Sequence, residues 1–224
     1  GYIDSNPPSL ESFDEPYRLF IQLYEMNIRN IVLHNKEVLE VGSGRGGGAS
    51  WIARSMNPSS LIGVDFSAEA VLLCNKWYNK QENLNFIEGN AEELPFPDSS
   101  FDIIYNVESS HCYGNMSKFI HEAFRVLRSG GNFCWTDFRD DKTMELTNQL
   151  FLDSGFKIVS KREVTKEVLA ALDSINDAKK ERIEELVPKT IRRSFETFAG
   201  IEGTPVYESF KNQKLKYFCY QMTK

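Results

Sequence analysis

The sequence holds four cysteines in 224 residues, at 74, 112, 134 and 219, far apart and without C-x-x-C spacing. That argues against a zinc ribbon or a disulfide framework and makes a reducing, cytoplasmic setting the default expectation. No apolar run approaches the ~20 residues needed to cross a bilayer. Positive charge is scarce as well: 26 Lys and Arg stand against 32 Asp and Glu, for a net charge of −6. The basic pairs Lys161-Arg162 and Arg192-Arg193 are not tracts, so a nucleic-acid partner gains no electrostatic support. Internal repeats and low-complexity stretches are missing, and no targeting is read from the N-terminus. What remains is an ordinary globular composition, 41% hydrophobic and 26% charged. The length suits one α/β domain whose core stands without staples. A homo-oligomer is neither required nor opposed by the sequence.

Residues 1–15 are polar and proline-bearing and read as an extended arm. Tyr17–Ile31 spaces Leu19, Phe20, Leu23, Tyr24, Ile28 and Ile31 as a helix does. Short apolar runs then alternate with helical patterns. Strands are expected at Val38–Val41, Leu61–Asp65, Leu84–Glu88, Phe101–Asn106 and Asn132–Asp137. Helices are expected at Ala49–Met56, after an N-cap at Ser67, and at Met116–Leu127, the last ended by Ser129-Gly130-Gly131. Such alternation implies parallel strands joined by crossovers. The rhythm changes afterwards. A helix at Thr143–Leu152 and a strand at Phe156–Glu163 precede helices at Glu167–Leu186 and Pro188–Phe198, and Lys214–Met222 closes as a strand. The block 165–210 thus reads as an insertion between the last two strands of a single domain.

The most informative stretch is VLEVGSGRGGGAS, Val38–Ser50. An apolar run ends on an acid, Glu40, and glycines follow at 42, 44, 46 and 47 before a helical pattern begins. Glycines let the turn bend sharply and let a ligand approach bare backbone. A carboxylate aimed into such a turn gains little from a phosphate. It suits a ligand with an ammonium, a sulfonium and ribose hydroxyls, which points to S-adenosylmethionine (SAM). The same residues satisfy G-x-G-x-x-G, with Asp65 as the later acid, so a nicotinamide or flavin dinucleotide stays open at this point, as does a purely structural turn.

In doubly wound sheets the ligand lies beyond the carboxyl ends of the strands. Strand one offers Glu40, Gly42, Ser43 and Gly44 there, and strand two offers Asp65, able to accept both ribose hydroxyls, with Phe66 able to lie against adenine. After strand three come Asn90, suited to the adenine amino group, and the Ala91 amide. Strand four ends at Asn106 through His111, and strand five at Thr136-Asp137. Singly, Asp65 reads equally as a capping acid, Phe66 as core and Asn90 as a turn residue. Jointly, polar residues at five strand ends are harder to dismiss, because buried parallel strands need none. His34 falls in a polar loop and His121 within a helix, whereas His111 stands just past strand four, where an acceptor meets a methyl donor. A neutral imidazole takes a hydroxyl proton near neutral pH, and Asp137 from the neighbouring strand end is placed to orient it. The bland alternative is that His111 only hydrogen-bonds its surroundings. Cys112 beside it reads as packing. Only Glu108 and Asp137 are candidate metal carboxylates, and no metal is expected.

These motifs resemble class I SAM-dependent methyltransferases: EVGSGRG their first motif, GVDFS their second, GNAEELPFPDSSFDIIYN their adenine loop and fourth strand, and LRSGGNF the approach to their fifth, together spanning 38–138. More narrowly, LEVGSGRGGGAS, NVESSHCY and RVLRSGG resemble the phthiotriolone/phenolphthiotriolone dimycocerosate O-methyltransferase family. That likeness extends to DEPYRLFIQLYE, FAGIEGT and LKYFCYQMTK. The resemblance implies a Rossmann-like α/β fold with helices on both faces of a seven-stranded sheet, its last strand antiparallel. It implies a cover made of the N-terminal arm and helix at 1–31 and the insertion at 165–210, with the final strand at 214–222. It also implies SAM held by Glu40, Gly42, Gly44, Asp65, Phe66, Asn90 and Ala91, and His111 as base. Where such enzymes carry G-D-A-E in the adenine loop, this chain has Asn90. The expected activity is transfer of a methyl group to a hydroxyl of an apolar small molecule. C- or N-methylation, a dinucleotide-dependent oxidoreductase and a non-catalytic SAM-binding protein are the alternatives.

Overall fold

Apolar runs and amphipathic stretches resolve into seven strands and nine helices in the computed structural model, which describes residues 1–224. The order is α1 (Arg18–Asn27), β1 (Glu37–Val41), α2 (Gly47–Met56), β2 (Ser60–Asp65), α3 (Ala68–Trp77), β3 (Leu84–Glu88), β4 (Phe101–Val107), α4 (Met116–Val126), β5 (Leu127–Arg139), α5 (Asp141–Asp153) and β6 (Lys157–Glu163). Then come α6 (Thr165–Ser174), α7 (Asn176–Leu186), α8 (Arg192–Ala199), α9 (Pro205–Lys211) and β7 (Lys216–Thr223). The strands form one sheet in the order β3-β2-β1-β4-β5-β7-β6. β1 to β5 pair in parallel, and β7 runs antiparallel to both of its neighbours, β5 and β6. The class I methyltransferase sheet expected from the motifs is therefore present, antiparallel last strand included.

The inner strands are nearly continuous in apolar residues because helices cover both faces. Val38, Ile103 and Tyr105 join the core layer under α1, α2, α3 and α6, while Leu39, Val41 and Ile104 join the layer under α4 and α5. Phe119, Ile120, Ala123 and Val126 form the buried stripe of α4, and burying Phe119 alone stabilises by about 2–3 kcal/mol. Side-chain caps begin the helices where the sequence offers them: Ser67 Oγ accepts from Ala70 N at 3.2 Å, Asn115 Oδ1 from Lys118 N at 3.0 Å and Asp140 Oδ1 from Thr143 N at 2.9 Å.

Two local readings are corrected, and two segments are defined further. The arm at 1–15 has no helix or strand before Glu15 and is packed down: Tyr2 and Asp4 are buried, Tyr2 N donates to Leu19 O at 2.9 Å, and Asp14 pairs with Arg54 at 2.9 Å. Ser129-Gly130-Gly131 does not separate a helix from a strand. β5 already begins at Leu127, paired with Phe101, and absorbs a register shift at Gly130, whose φ of +76° suits glycine alone. The helix expected over 167–186 breaks at Ile175, which leaves the helical region at φ −117° and ψ 8°. Last, Pro205–Lys211, to which the sequence pattern assigned no element, forms α9 with Pro205 in its first turn.

Candidate active site

The glycine turn joins β1 to α2 at the carboxyl edge of the sheet. Gly42 has φ +78°, and a Cβ there would stand 2.3 Å from Ser109 Oγ. Glycine is thus demanded twice, by conformation and by the close approach of the loop after β4. At Gly44 and Gly47 a Cβ would meet nothing within 4 Å, so the turn faces open space on that side. Asp65, at the end of β2, is already tied to the turn: Oδ2 accepts from Gly44 N at 2.7 Å and Oδ1 from Ser67 N at 2.9 Å. Phe66, next in sequence, is 79% exposed, an unusual position for a large aromatic with no neighbour to cover it. Asn90 Oδ1 accepts from Glu92 N at 2.9 Å, closing the turn in which Ala91 sits.

Glu40 is fully buried, and neither of its carboxylate oxygens has a hydrogen-bond partner. It lies beside Tyr105 in the β1–β4 register, and the Tyr105 hydroxyl is unpartnered too. Burial pushes the Glu40 carboxyl up to about 8, and the nearby Tyr24 and Tyr105 hydroxyls offset this only in part. Tyr24 comes from α1 and lies edge-to-face on Tyr105, with centroids 6.2 Å apart. Its ring rests on Gly48, where a Cβ would be only 2.1 Å away. A buried carboxyl without partners is costly and calls for a donor or a cation. Together with the bare turn, Asp65 and the uncovered Phe66, it fits the ammonium, ribose and adenine groups of SAM.

Asn106 and Ser43 lie behind the turn. Asn106 is fully buried and donates to Val41 O at 2.8 Å and Ser109 Oγ at 2.7 Å, binding β4 to the end of β1, while its own oxygen has no partner. The Ser43 side chain is buried with its hydroxyl unpartnered, which leaves its backbone at the turn.

The structure brings His111 and Asp137 together. His111 Nδ1 is 2.8 Å from Asp137 Oδ1, and the His111 amide donates to Oδ2 at 2.9 Å. Ser110 Oγ donates to Oδ2 at 2.7 Å while receiving Trp135 Nε1–H at 2.8 Å and Arg139 Nη2–H at 2.9 Å. Arg139 Nη1 stands 3.3 Å from Asp137 Oδ2. Burial opposes ionisation of Asp137, yet the hydrogen bond from His111 and the Arg139 charge outweigh it and hold the carboxyl below the usual carboxylate range. An ionised Asp137 only accepts, so His111 Nδ1–H is the donor in this bond. The imidazole is 28% exposed and is backed by Phe138, with ring centroids 4.4 Å apart.

Tyr24, Tyr105, Ser110 and Arg139 were given no role in the site by the sequence pattern. Arg139 had a signal: two residues after Asp137 on one strand, it shares that face of the sheet. Tyr24 had none beyond its helical spacing. Two clefts lie elsewhere. One of about 230 Å³ adjoins Lys36, Asp102 and Arg128 at the opposite edge of the sheet, and one of about 340 Å³ adjoins Asp141, Glu145 and Lys161. Neither is lined by the residues just described.

Comparison with known proteins decides the family. A methyltransferase domain model matches residues 39–135. The phthiotriol/phenolphthiotriol dimycocerosates methyltransferase of Mycobacterium tuberculosis (strain ATCC 25177 / H37Ra) is 34% identical over 99% of this chain and 83% of its own length. The chain belongs to that methyltransferase family. A fatty-acid O-methyltransferase of Mycolicibacterium smegmatis is 33% identical over 100% of this chain and 81% of its own. Among solved structures, a putative sarcosine dimethylglycine methyltransferase from Galdieria sulphuraria superimposes with a TM-score of 0.80 at 16% identity, covering 97% of this chain and 92% of that one; that likeness concerns the fold. As a member of the family, this methyltransferase is a SAM-dependent enzyme, and the glycine turn described above lies within the matched domain. No helix is long and apolar enough to cross a membrane.

Proposed function

We propose that this methyltransferase acts on a hydroxyl of an apolar small molecule of lipid or polyketide type, with His111 as general base. The His111–Asp137 hydrogen bond of 2.8 Å carries the reading. SAM, when bound, supplies an electrophilic methyl group on a sulfonium. Glu40, Gly42, Ser43, Gly44, Asp65, Phe66, Asn90, Ala91 and Asn106 would form its site: Glu40 facing the ammonium, Asp65 the ribose, Phe66 and the Asn90–Ala91 turn the adenine, with Asn106 and Ser43 supporting the turn from behind. His111 Nε2 receives the proton of the acceptor hydroxyl as the oxygen becomes a nucleophile, and Asp137 stabilises the imidazolium through Nδ1–H. Arg139 and Ser110 keep Asp137 ionised and fixed, so the imidazole does not have to reorganise during the reaction. Holding the acceptor oxygen in line supplies most of the acceleration, and proton removal by His111 contributes about 10²–10⁴-fold. The α1 helix and the α6–α9 block form the cover on the acceptor side. Support for a lipid-like acceptor comes from the relatives, whose names specify dimycocerosates and fatty acids.

The test is His111→Ala. SAM affinity by calorimetry is expected to stay within about twofold, while methyl transfer to a long-chain alcohol falls by about 10²-fold or more. Unchanged turnover removes His111 as base.

A further inference from the structure

The hairpin of α7 and α8 adds nothing to the core, since no residue of either helix is buried. It is nonetheless pinned. At its base Lys179 Nζ donates to Ala199 O at 3.0 Å and Glu202 N to Asn176 Oδ1 at 2.9 Å; at its tip Arg192 Nε donates to Val187 O at 2.9 Å. The two helices therefore run side by side in opposite directions, and Gly200, at φ +65°, turns the chain from α8 towards α9. Large apolar side chains stand uncovered on this hairpin: Leu186, Ile191, Phe195 and Phe198, the last 91% exposed. Ile191, Phe195 and Phe198 fall at i, i+4 and i+7, so they share one side of α8 and the turn before it.

Charge is spread unevenly over the hairpin. α7 carries Asp177, Glu181, Glu184 and Glu185 against Lys179, Lys180 and Arg182. Between Leu186 and Phe198 the balance reverses: Lys189, Arg192 and Arg193 stand against Glu196 alone, in a chain whose net charge is −6. Arg192 is spent on the carbonyls that end α7, whereas Lys189 and Arg193 are exposed. An uncovered apolar side with basic flanks suits a helix that lies in the headgroup region of an anionic bilayer. No helix is built to cross one. A second copy of the chain fits less well, because a twofold contact on this side would bring Lys189 and Arg193 against their own copies.

We propose that the turn at 187–191 and α8 form a docking surface for an anionic lipid bilayer, with Phe195 and Phe198 entering the headgroup region and Lys189 and Arg193 meeting lipid phosphates. The acidic remainder of the chain is repelled by the same surface, which fixes the side that approaches. α8 packs on α9, whose Phe210 lies on Phe138 with centroids 5.4 Å apart, and Phe138 backs His111. The docked hairpin thus borders the acceptor side, and an apolar acceptor passes from lipid to protein without crossing water. That consequence rests on the role proposed for His111; the docking itself does not. Each basic side chain near an anionic surface contributes about fivefold in partitioning, and burial of the two phenylalanines about tenfold or more.

The full chain is sedimented with vesicles of phosphatidylcholine alone and of phosphatidylcholine with one-third phosphatidylglycerol, at low and at high salt. Binding to the anionic vesicles is expected to be about tenfold or more the stronger, and to lose most of that advantage at high salt. Lys189→Glu with Arg193→Glu should bring the two vesicle types to within about twofold of each other. Phe195→Ser with Phe198→Ser should weaken binding to the anionic vesicles by about tenfold or more. All four side chains are exposed, so both double variants should fold, and thermal melting checks this. Phe198→Trp reports depth: on anionic vesicles its emission, taken against the wild type, should shift to the blue. No binding, equal binding to both vesicle types, an unshifted emission, or variants that bind as the wild type does each overturn the proposal. So does a dimer in analytical ultracentrifugation that Phe195→Ser with Phe198→Ser abolishes, found together with no vesicle binding; it assigns the surface to a second copy. Full turnover of His111→Ala counts against the catalytic reading instead and leaves the vesicle result standing.

Discussion

If Glu40 receives the donor's ammonium, as proposed, its burial should make affinity for the methyl donor depend on pH in a direction that follows from its surroundings. With the carboxyl pushed up to about 8 by burial, the free protein carries it protonated at pH 7. An ammonium placed beside it requires the carboxylate, so binding releases a proton and strengthens as pH rises towards 8. The ionised fraction of a group with that midpoint is about 1% at pH 6 and about half at pH 8. SAM affinity should therefore rise by about 50-fold over that interval, equivalent to roughly 2 kcal/mol. Titration calorimetry in two buffers of different ionisation enthalpy counts the protons released. The ligand's own amine titrates nearby, so Glu40→Gln is the reference: with the same ligand it lacks the Glu40 contribution and binds more weakly at pH 8. Stability moves the opposite way. Between the ordinary carboxylate value and about 8 the native state holds a proton that the unfolded chain has lost, so ligand-free stability falls as pH rises through that window, by at most about 5 kcal/mol. Ligand-free Glu40→Gln should then melt above the wild type at pH 8 and beside it at pH 5. Identical pH slopes in wild type and variant, or tighter wild-type binding at lower pH, would refute the reasoning.

Removing the charge of Asp137 as Asn leaves Arg139 buried without its counter-ion, and a loss of about 3–5 kcal/mol in denaturant unfolding is expected. The wild type keeps that contribution down to the usual aspartate range and loses it only as pH falls through the lower value of the folded state; an acid-unfolding curve for Asp137→Asn that still shows the wild-type step counts against this. Gly42→Ala combines a φ of +78° with a Cβ 2.3 Å from Ser109 Oγ, and should cost about 2 kcal/mol or more in chemical denaturation and weaken SAM binding. Phe66→Ala removes a ring that is 79% exposed. Its melting should match wild type within about 0.5 kcal/mol, while loss of stacking weakens SAM binding by about 1–3 kcal/mol on calorimetry.

The sheet was legible because buried parallel strands leave short apolar runs with polar residues only at their ends. Those ends, read together, put Glu40, Asp65, His111 and Asp137 along one edge of the sheet, and His111 and Asp137 do meet there at 2.8 Å. What stayed hidden depends on contacts between distant segments. Helical spacing put Tyr24 on α1 but said nothing of Gly48 receiving its ring. The break at Ile175 has no proline or glycine to announce it. The buried Tyr217 hydroxyl donates to Glu108, more than a hundred residues back, and the buried networks of Asn106 and Ser110 draw partners from separate strands. Local propensity reports none of these.

β7 lies inside the sheet, between β5 and β6. β6 reaches the rest of the sheet only through it, so the order of assembly differs from the order of the chain. Until Lys216–Thr223 is seated, β5 presents a bare edge of unpaired amides and carbonyls and β6 has no neighbour at all. A long apolar edge in that state is a template for pairing with another molecule. Mutations that slow the docking of β7 should thus appear as aggregation during refolding rather than as lost affinity, and the packing of Tyr217 on Phe138 and Phe210 should form late.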